Sequence, residues 1–596
     1  MFRNIDKSSI HVAGIFCLLL LAYHLIFRDF FPSTNGRMGH DYVLTLTGLL
    51  DGYIWFRNNG FITPPWFTPS FCGGQAFFAD PQAGFYYLPQ FLTFVMDPLQ
   101  AVYWAFLIFA ALGFWGMYFF TRRCLHIGRI GALLASVVFM FNGFYASRIL
   151  IGHYGYQSFM LIPLIAYLLL KNSSTERPWV GSLRSSIFAG VLIAYWFHSG
   201  LTTLMIPAAL AVISLGCLLQ IRTTENIAPS FLARGLLAGI IAILLCASKL
   251  NANLTLMSNF SRDYYLIPGI SDIGGLLTFV FQSLFYSGSH VYQTVTPLWK
   301  NIQWAAMPHE LAYNLSPISL TILIIGLGAK ALMANRYRHA HQNLVSYQKF
   351  GYYLLVTICL FPIALLYYSP WWNEALKSLP LVGSTTAPFR WLIIFIPLIS
   401  ILTGIACEQL GKYRKPIVLL ALVGIPFFSM LEDRTYYSSQ TYNPAEIVSY
   451  YNAIRLGQAI PRIVKVGTPT ENNGQIAEGI SPAYCYNPLY GYRLEKLKIQ
   501  PLVQGPITTV TPSGTLNLHN PACLVFPAEN NCKLWDAFTP DQSSQLLAFA
   551  SYKPYAFEKS SRQHIADWIT EGTCIGLFFG LAMLLFVRKK GPLPSP

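Results

Sequence analysis

Twelve continuous apolar runs constrain the fold of this chain more than any other feature. They lie at 10–31, 99–121, 130–147, 156–170, 186–199, 201–220, 235–250, 313–333, 351–368, 391–408, 415–431 and 567–587. An α-helix crosses the roughly 30 Å hydrocarbon core of a bilayer with about 20 apolar residues. Within that core every backbone polar group needs an internal partner, so only helices and closed barrels span it. The runs are unbroken rather than alternating, which excludes a barrel. They predict a polytopic α-helical membrane protein of about twelve transmembrane helices. The runs at 156–170, 186–199 and 235–250 are short, as tilted or broken helices would be. The first is longer than a signal-peptide core and has no small-residue cleavage site behind it, so it reads as an uncleaved anchor. Composition agrees: 11% of the residues are charged, against about 25% in soluble domains.

Charge gives the orientation. Alternate short loops, with the two ends of the chain, carry 20 of the 40 Lys and Arg residues and only four acidic ones, Asp6, Glu176, Glu225 and Glu408. By the positive-inside rule this face is cytoplasmic, and both termini lie on it. The net charge of +15 is therefore a topology signal and not a nucleic-acid footprint. The expected location is the bacterial cytoplasmic (inner) membrane, with the long loops in the periplasm. Those outer loops run over 32–98 and 251–312, with a shorter one near 369–388. The chain thus divides into a membrane module (1–431), an extracytoplasmic domain (432–566) and a last transmembrane helix with a cytoplasmic tail (567–596). In the extracytoplasmic domain "RIVKVG" and "ACLVFP" read as strands, giving a small α/β or mainly β unit. Cys523 and Cys532 flank a short loop there and suit a disulfide in an oxidising compartment. The chain has no G-x-x-x-x-G-K-[ST] and no strand-linked G-x-G-x-x-G, so cytoplasmic ATP is not its energy source.

The chemistry-bearing residues gather on the outer face. A transporter hides its carboxylates near the bilayer midplane; here they stand at span ends and in outer loops, where a lipid-borne head group projects. Asp41, in "GHDYVLTLTGLLDGYIWF", precedes a helix marked by Tyr42, Leu46, Leu49, Leu50 and Tyr53. It reads either as a general base or as the N-cap of that helix. Asp51, ten residues on, reads as a solvated helix residue. Asp80 starts an Asp-Pro turn near Tyr86, or binds a metal or an acceptor. His153 stands at a span end; His309 and Glu310 open the eighth span, as ligands or as helix caps. Lys249, Arg262 and Arg390 run against the positive-inside trend. They suit phosphate or snorkel to the interface.

Several stretches in this order carry a family resemblance: "GHDY" (39–42), "ADPQAGFYYLPQFL" (79–92), "GHYGYQSFMLIPL" (152–164), "PHELAYNLSPISL" (308–320) and "LPLVGSTTAPFRWL" (379–392). The chain resembles the GT-C superfamily of membrane glycosyltransferases, and more narrowly bacterial YfhO-type proteins. The resemblance implies inverting transfer of a sugar from a polyprenyl-phosphate donor to a glycan, lipid or protein acceptor on the outer face. It matches Asp41 to the family's first-loop acid, as the base or the group that orients the acceptor. Lys249, Arg262 and Arg390 then hold the donor phosphate, while His40, Asp80, Tyr86, His153, His309 and Glu310 face acceptor or sugar. Where the family has Asn-Pro-Gln this chain has Asp80-Pro81-Gln82, and His40-Asp41 replaces a pair of acids. No cofactor is certain: a divalent metal, Mg or Mn on Asp41 and Asp80, stays open. Two alternatives remain: an O-antigen ligase or polymerase using a polyprenyl diphosphate, and a non-enzymatic lipid-linked sugar transporter or flippase.

Overall fold

In the computed structural model the residues described are 7–31, 38–39, 41–171, 178–260, 266–300, 307–336, 345–380, 382–383, 385, 387–431, 433–437, 442–468, 474–483 and 501–586. The chain is a mainly helical membrane protein. Among these residues eight helical segments are long and apolar enough to cross a bilayer: Ile10–Phe30, Pro98–Arg123, Arg129–Leu150, Trp179–His198, Leu201–Arg222, Ala228–Ser258, Ser346–Leu366 and Pro388–Glu408. The other four expected spans are also helical but do not meet that standard. Tyr154–Leu170 and the apolar part of Pro317–Arg336 are too short. Arg414–Ser429 has 16 residues, and Ser561–Phe586 opens on charged and polar residues. The expected run 235–250 sits inside a 31-residue helix, Ala228–Ser258, which projects beyond the predicted start of the second outer loop.

Arg129–Leu150 is the axis of the bundle, with 94% of its apolar window buried. It crosses Phe395–Glu408 at Gly131 and Gly404; a Cβ on either would come within 2.6 Å of the other's carbonyl oxygen. Small residues at such a crossing let two helix backbones touch. The same segment breaks at Asn142, whose side chain accepts from Tyr145 N and caps Gly143–Leu150.

The basic loops meet at one end of the bundle. There Arg234 donates to Lys171 O (2.7 Å), Gln348 to Thr223 O (2.9 Å), and Glu408 receives Gly131 N (3.1 Å) and Arg414 (3.4 Å). At the other end the helix Tyr42–Asn59 lies across the span ends. Tyr42, Leu46, Leu49, Leu50 and Tyr53 are all buried, as their spacing predicts. The C-terminal segment packs over this helix and shares its core: Tyr53 meets the Tyr451 ring at 4.8 Å, and Trp66 meets Phe526 and Phe557. "RIVKVG" supplies the central strand, Lys465–Gly467, of a three-stranded sheet. It pairs parallel with Ile480–Pro482 and antiparallel with Gly505–Pro506. "ACLVFP", read as a strand, is instead a short buried helix, Ala522–Val525. A brief apolar run buried on every side has no alternation to separate the two forms. Cys523 and Cys532 are bonded, with their Cα atoms 5.8 Å apart.

Candidate active site

Two glycines bring Asp41 to His153. The backbone at 39–42 lies directly on the turn at 149–153. Asp41 N donates to Ile151 O (2.9 Å), Tyr42 OH to Ile149 O (2.8 Å), and Thr45 Oγ1 to Gly152 O (2.7 Å). A Cβ on Gly39 would lie 2.4 Å from Leu150 O, and one on Gly152 would lie 2.7 Å from Asp41 C and Tyr42 N. Gly152 also has φ +99°, in the region that suits glycine. The contact is therefore open only to residues without side chains.

Asp41 occupies the N-cap position of Tyr42–Asn59, yet its side chain makes no cap hydrogen bond. It turns instead to His153, with Oδ2 at 2.6 Å from Nε2. Arg148 Nη1 lies 3.2 Å from His153 Nδ1. A guanidinium only donates, so Nδ1 accepts and Nε2 carries the proton given to Asp41. The carboxylate keeps 29% of its side-chain surface open, and its Oδ1 has no hydrogen-bond partner among the described residues.

Behind this pair stands a buried charge chain. Arg148, wholly buried, donates from Nη2 to Glu310 Oε2 at 2.5 Å. Arg390 grips the same carboxylate with two donors, Nε to Oε2 (3.0 Å) and Nη2 to Oε1 (2.5 Å). Burial pushes the Glu310 carboxyl up, but Arg148 and Arg390 outweigh it and hold it well below the ordinary carboxylate value. His309 is driven well below the usual histidine value, first by burial and then by the neighbouring His153 and arginines. Its ring is therefore neutral. It bonds Tyr436 OH at 2.6 Å and meets the His153 ring edge-on at 5.0 Å. Both guanidinium groups lie over the Tyr156 ring.

The predicted residues thus fall into two groups. Asp41, His153, His309, Glu310 and Arg390 form the cluster just described. Lys249, Asp80 and Tyr86 belong to a second one. Lys249 is buried, donates to Ala83 O (2.6 Å), lies 4.6 Å over the Phe85 ring and feels the Asp80 charge. Asp80 receives Gln82 N at 2.7 Å, the expected turn contact. Tyr86 donates to Phe61 O and stands edge-on to His198. Lys249 and Arg390 therefore do not form a single cationic group. Glu310, expected to face acceptor or sugar, has both oxygens engaged by arginine. His40 and Arg262 lie outside the described residues.

Asp51 corrects the reading of a solvated residue. It is buried, receives Ser70 Oγ, and that hydroxyl lies 2.6 Å from Tyr552 OH. Burial pushes its carboxyl up to about 7, against the lowering effect of the hydroxyls of Ser70, Thr68 and Tyr552. Arg148 is the member that the sequence reading missed. Its signal was an arginine directly after the apolar run 130–147, where a charge needs a buried acid as partner.

Asp41 and Asp80 belong to different groups, so they do not make one metal site. His153, His309 and Glu310 each offer a ligand atom, all within 4.8 Å of one another. Mg and Mn favour oxygen ligands; two of these three are imidazoles, and the carboxylate is already neutralised by two guanidinium groups. The cluster does not fit Mg or Mn.

No family profile matches the sequence, and no curated protein does. In three dimensions the chain is similar to arabinofuranosyltransferase AftD from Mycobacteria, at 16% identity and TM-score 0.40, over 74% of this chain and 27% of that one. It is also similar to the Archaeoglobus fulgidus oligosaccharyltransferase in its apo form, at 12% identity and TM-score 0.43, over 80% and 65%. The same enzyme in complex with Zn and sulfate gives 11% and 0.38, over 78% and 62%. The chain spans less than two thirds of the length of each.

Proposed function

We propose that the chain is a GT-C-type, YfhO-like inverting glycosyltransferase. It takes a sugar from a polyprenyl-phosphate donor and passes it to a hydroxyl acceptor on the outer face of the membrane. The observation that carries this reading is the Asp41–His153 pair: a half-open carboxylate, freed from capping its own helix and aimed by a neutral imidazole. A base needs one oxygen held and one free to meet the substrate proton. Here His153 holds Oδ2, and Oδ1 is left for the acceptor hydroxyl. Arg148 fixes the His153 ring, and Glu310 fixes Arg148. Arg390, with 22% of its side chain open, faces the leaving phosphate and stabilises its charge. Lys249, in the second cluster, positions the first outer loop through Ala83. No step passes through a metal.

The test is transfer by the full chain in lipid nanodiscs, with polyprenyl-monophosphate and polyprenyl-diphosphate sugars side by side. The reading expects transfer from the monophosphate, unaffected by chelator. Transfer from the diphosphate alone favours a ligase or polymerase. Movement of labelled lipid across liposomes without transfer favours a flippase.

A further inference from the structure

The second outer loop contains a stretch that avoids charge altogether. Between Asp272 and Lys300 there is no Asp, Glu, Lys or Arg. Two helices fill it, Ile273–Phe285 and Gly288–Val295, joined by a turn at Tyr286 and Ser287. The first is capped by Asp272, which receives Gly275 N at 2.5 Å. Its inner side is buried through Leu276, Phe279, Val280 and Leu284, with Phe279 edge-on to Trp299. Its outer side presents Ile273, Leu277 and Phe281, which are 64%, 54% and 43% exposed. Spacings of four residues put these three on one ridge. A water-facing loop helix carries polar residues along such a ridge.

The neighbours set its level against the membrane. Ile270, three residues before the helix, receives Tyr368 N at 3.0 Å and bridges Tyr367. These tyrosines end the span Ser346–Leu366, whose Phe350, Tyr353 and Leu360 are exposed as a lipid-facing span requires. Trp371 follows, 73% exposed. Tyr and Trp gather where hydrocarbon meets water. The ridge thus starts at that boundary and continues the apolar surface of a span. At about 1.5 Å per residue the helix is roughly 20 Å long, too short to cross a core of about 30 Å.

The geometry points to a hairpin at 273–295 that dips into the outer leaflet, with lipid hydrocarbon chains covering the ridge and lipid head groups meeting the open groove formed by Leu277, Thr278, Phe281, Gln282, Tyr286 and His290. The inference needs only that the chain is a membrane protein; it does not rest on sugar transfer. It places lipid beside the charge cluster: Ser283 O receives Tyr313 N (3.2 Å), Trp299 packs on Phe389, and Arg390 follows directly.

The test is photocrosslinking of the full chain in nanodiscs of phosphatidylethanolamine and phosphatidylglycerol. A benzophenone amino acid replaces Phe281 in one sample. Val423, exposed on the helix Arg414–Ser429, serves as the lipid-facing control, and Val510, exposed among threonines in the C-terminal segment, as the aqueous one. The expected result is phospholipid adduct at 281 as abundant as at 423, and loss of adduct at 510. Loss of adduct at 281 as well overturns the inference. So does a crosslinked dimer at 281, which would assign the ridge to a second copy of the chain.

Discussion

Replacing Arg148 by Met opens the charge cluster from its centre. The change removes the 2.5 Å ion pair to Glu310 and the 3.2 Å contact with His153 from a site with no solvent exposure. Met retains much of the stem, so the loss is mainly electrostatic. Breaking a buried pair from one side costs about 3–5 kcal/mol. Glu310 keeps Arg390, so the lower end, about 3 kcal/mol, applies here. At about 1.4 kcal/mol per factor of ten, local opening becomes roughly 100-fold more frequent. Hydrogen exchange read by mass spectrometry on peptides covering 148–154 and 307–313 measures this directly. Exchange should accelerate by about that factor in Arg148→Met. It should accelerate further in Glu310→Gln, which strands the buried Arg148 and the part-buried Arg390. Exchange in both variants indistinguishable from wild type would refute the charge chain as the support of His153.

Three other outcomes are expected. The Asp51 carboxyl stands at about 7 when folded against 3.8 as a model value, so folding takes up protons there. Its contribution to stability is full below about pH 4 and is lost as pH rises through about 7. Melting in detergent should therefore be lower at pH 8 than at pH 5, and Asp51→Asn should flatten the difference. Gly152→Ala drives a Cβ into the Asp41 backbone; faster amide exchange over 39–45 is expected, and unchanged exchange would contradict the close approach. Removing the Cys523–Cys532 bridge with serines should cost about 2–3 kcal/mol for so short a loop, read as a lower melting temperature than wild type under non-reducing conditions.

Each apolar run falls on helical structure, eight of them in segments long and apolar enough to cross a bilayer, because hydrocarbon leaves so few alternatives. The gathering of Lys and Arg on alternate short loops was legible as well. The site was only half legible. Asp41, His153, His309, Glu310 and Arg390 stood out as polar residues at span ends. Their grouping did not, because it depends on Gly39 and Gly152 drawing two distant turns together. Arg148 was passed over at the end of the apolar run 130–147. Asp51 was misread because the covering C-terminal segment reaches it from far along the chain, through Tyr552 and Ser70. The two helices of 273–295 were not distinguished within the expected outer loop 251–312, because each falls short of a span.

The central claim is that Asp41 accepts the acceptor's proton. The most direct measurement is sugar transfer by the full chain in nanodiscs, wild type against Asp41→Asn, with hydrogen exchange over 39–45 and 148–154 on the same samples. The account predicts that transfer from a polyprenyl-phosphate sugar is abolished while both segments keep their protection. Full transfer by Asp41→Asn would contradict it.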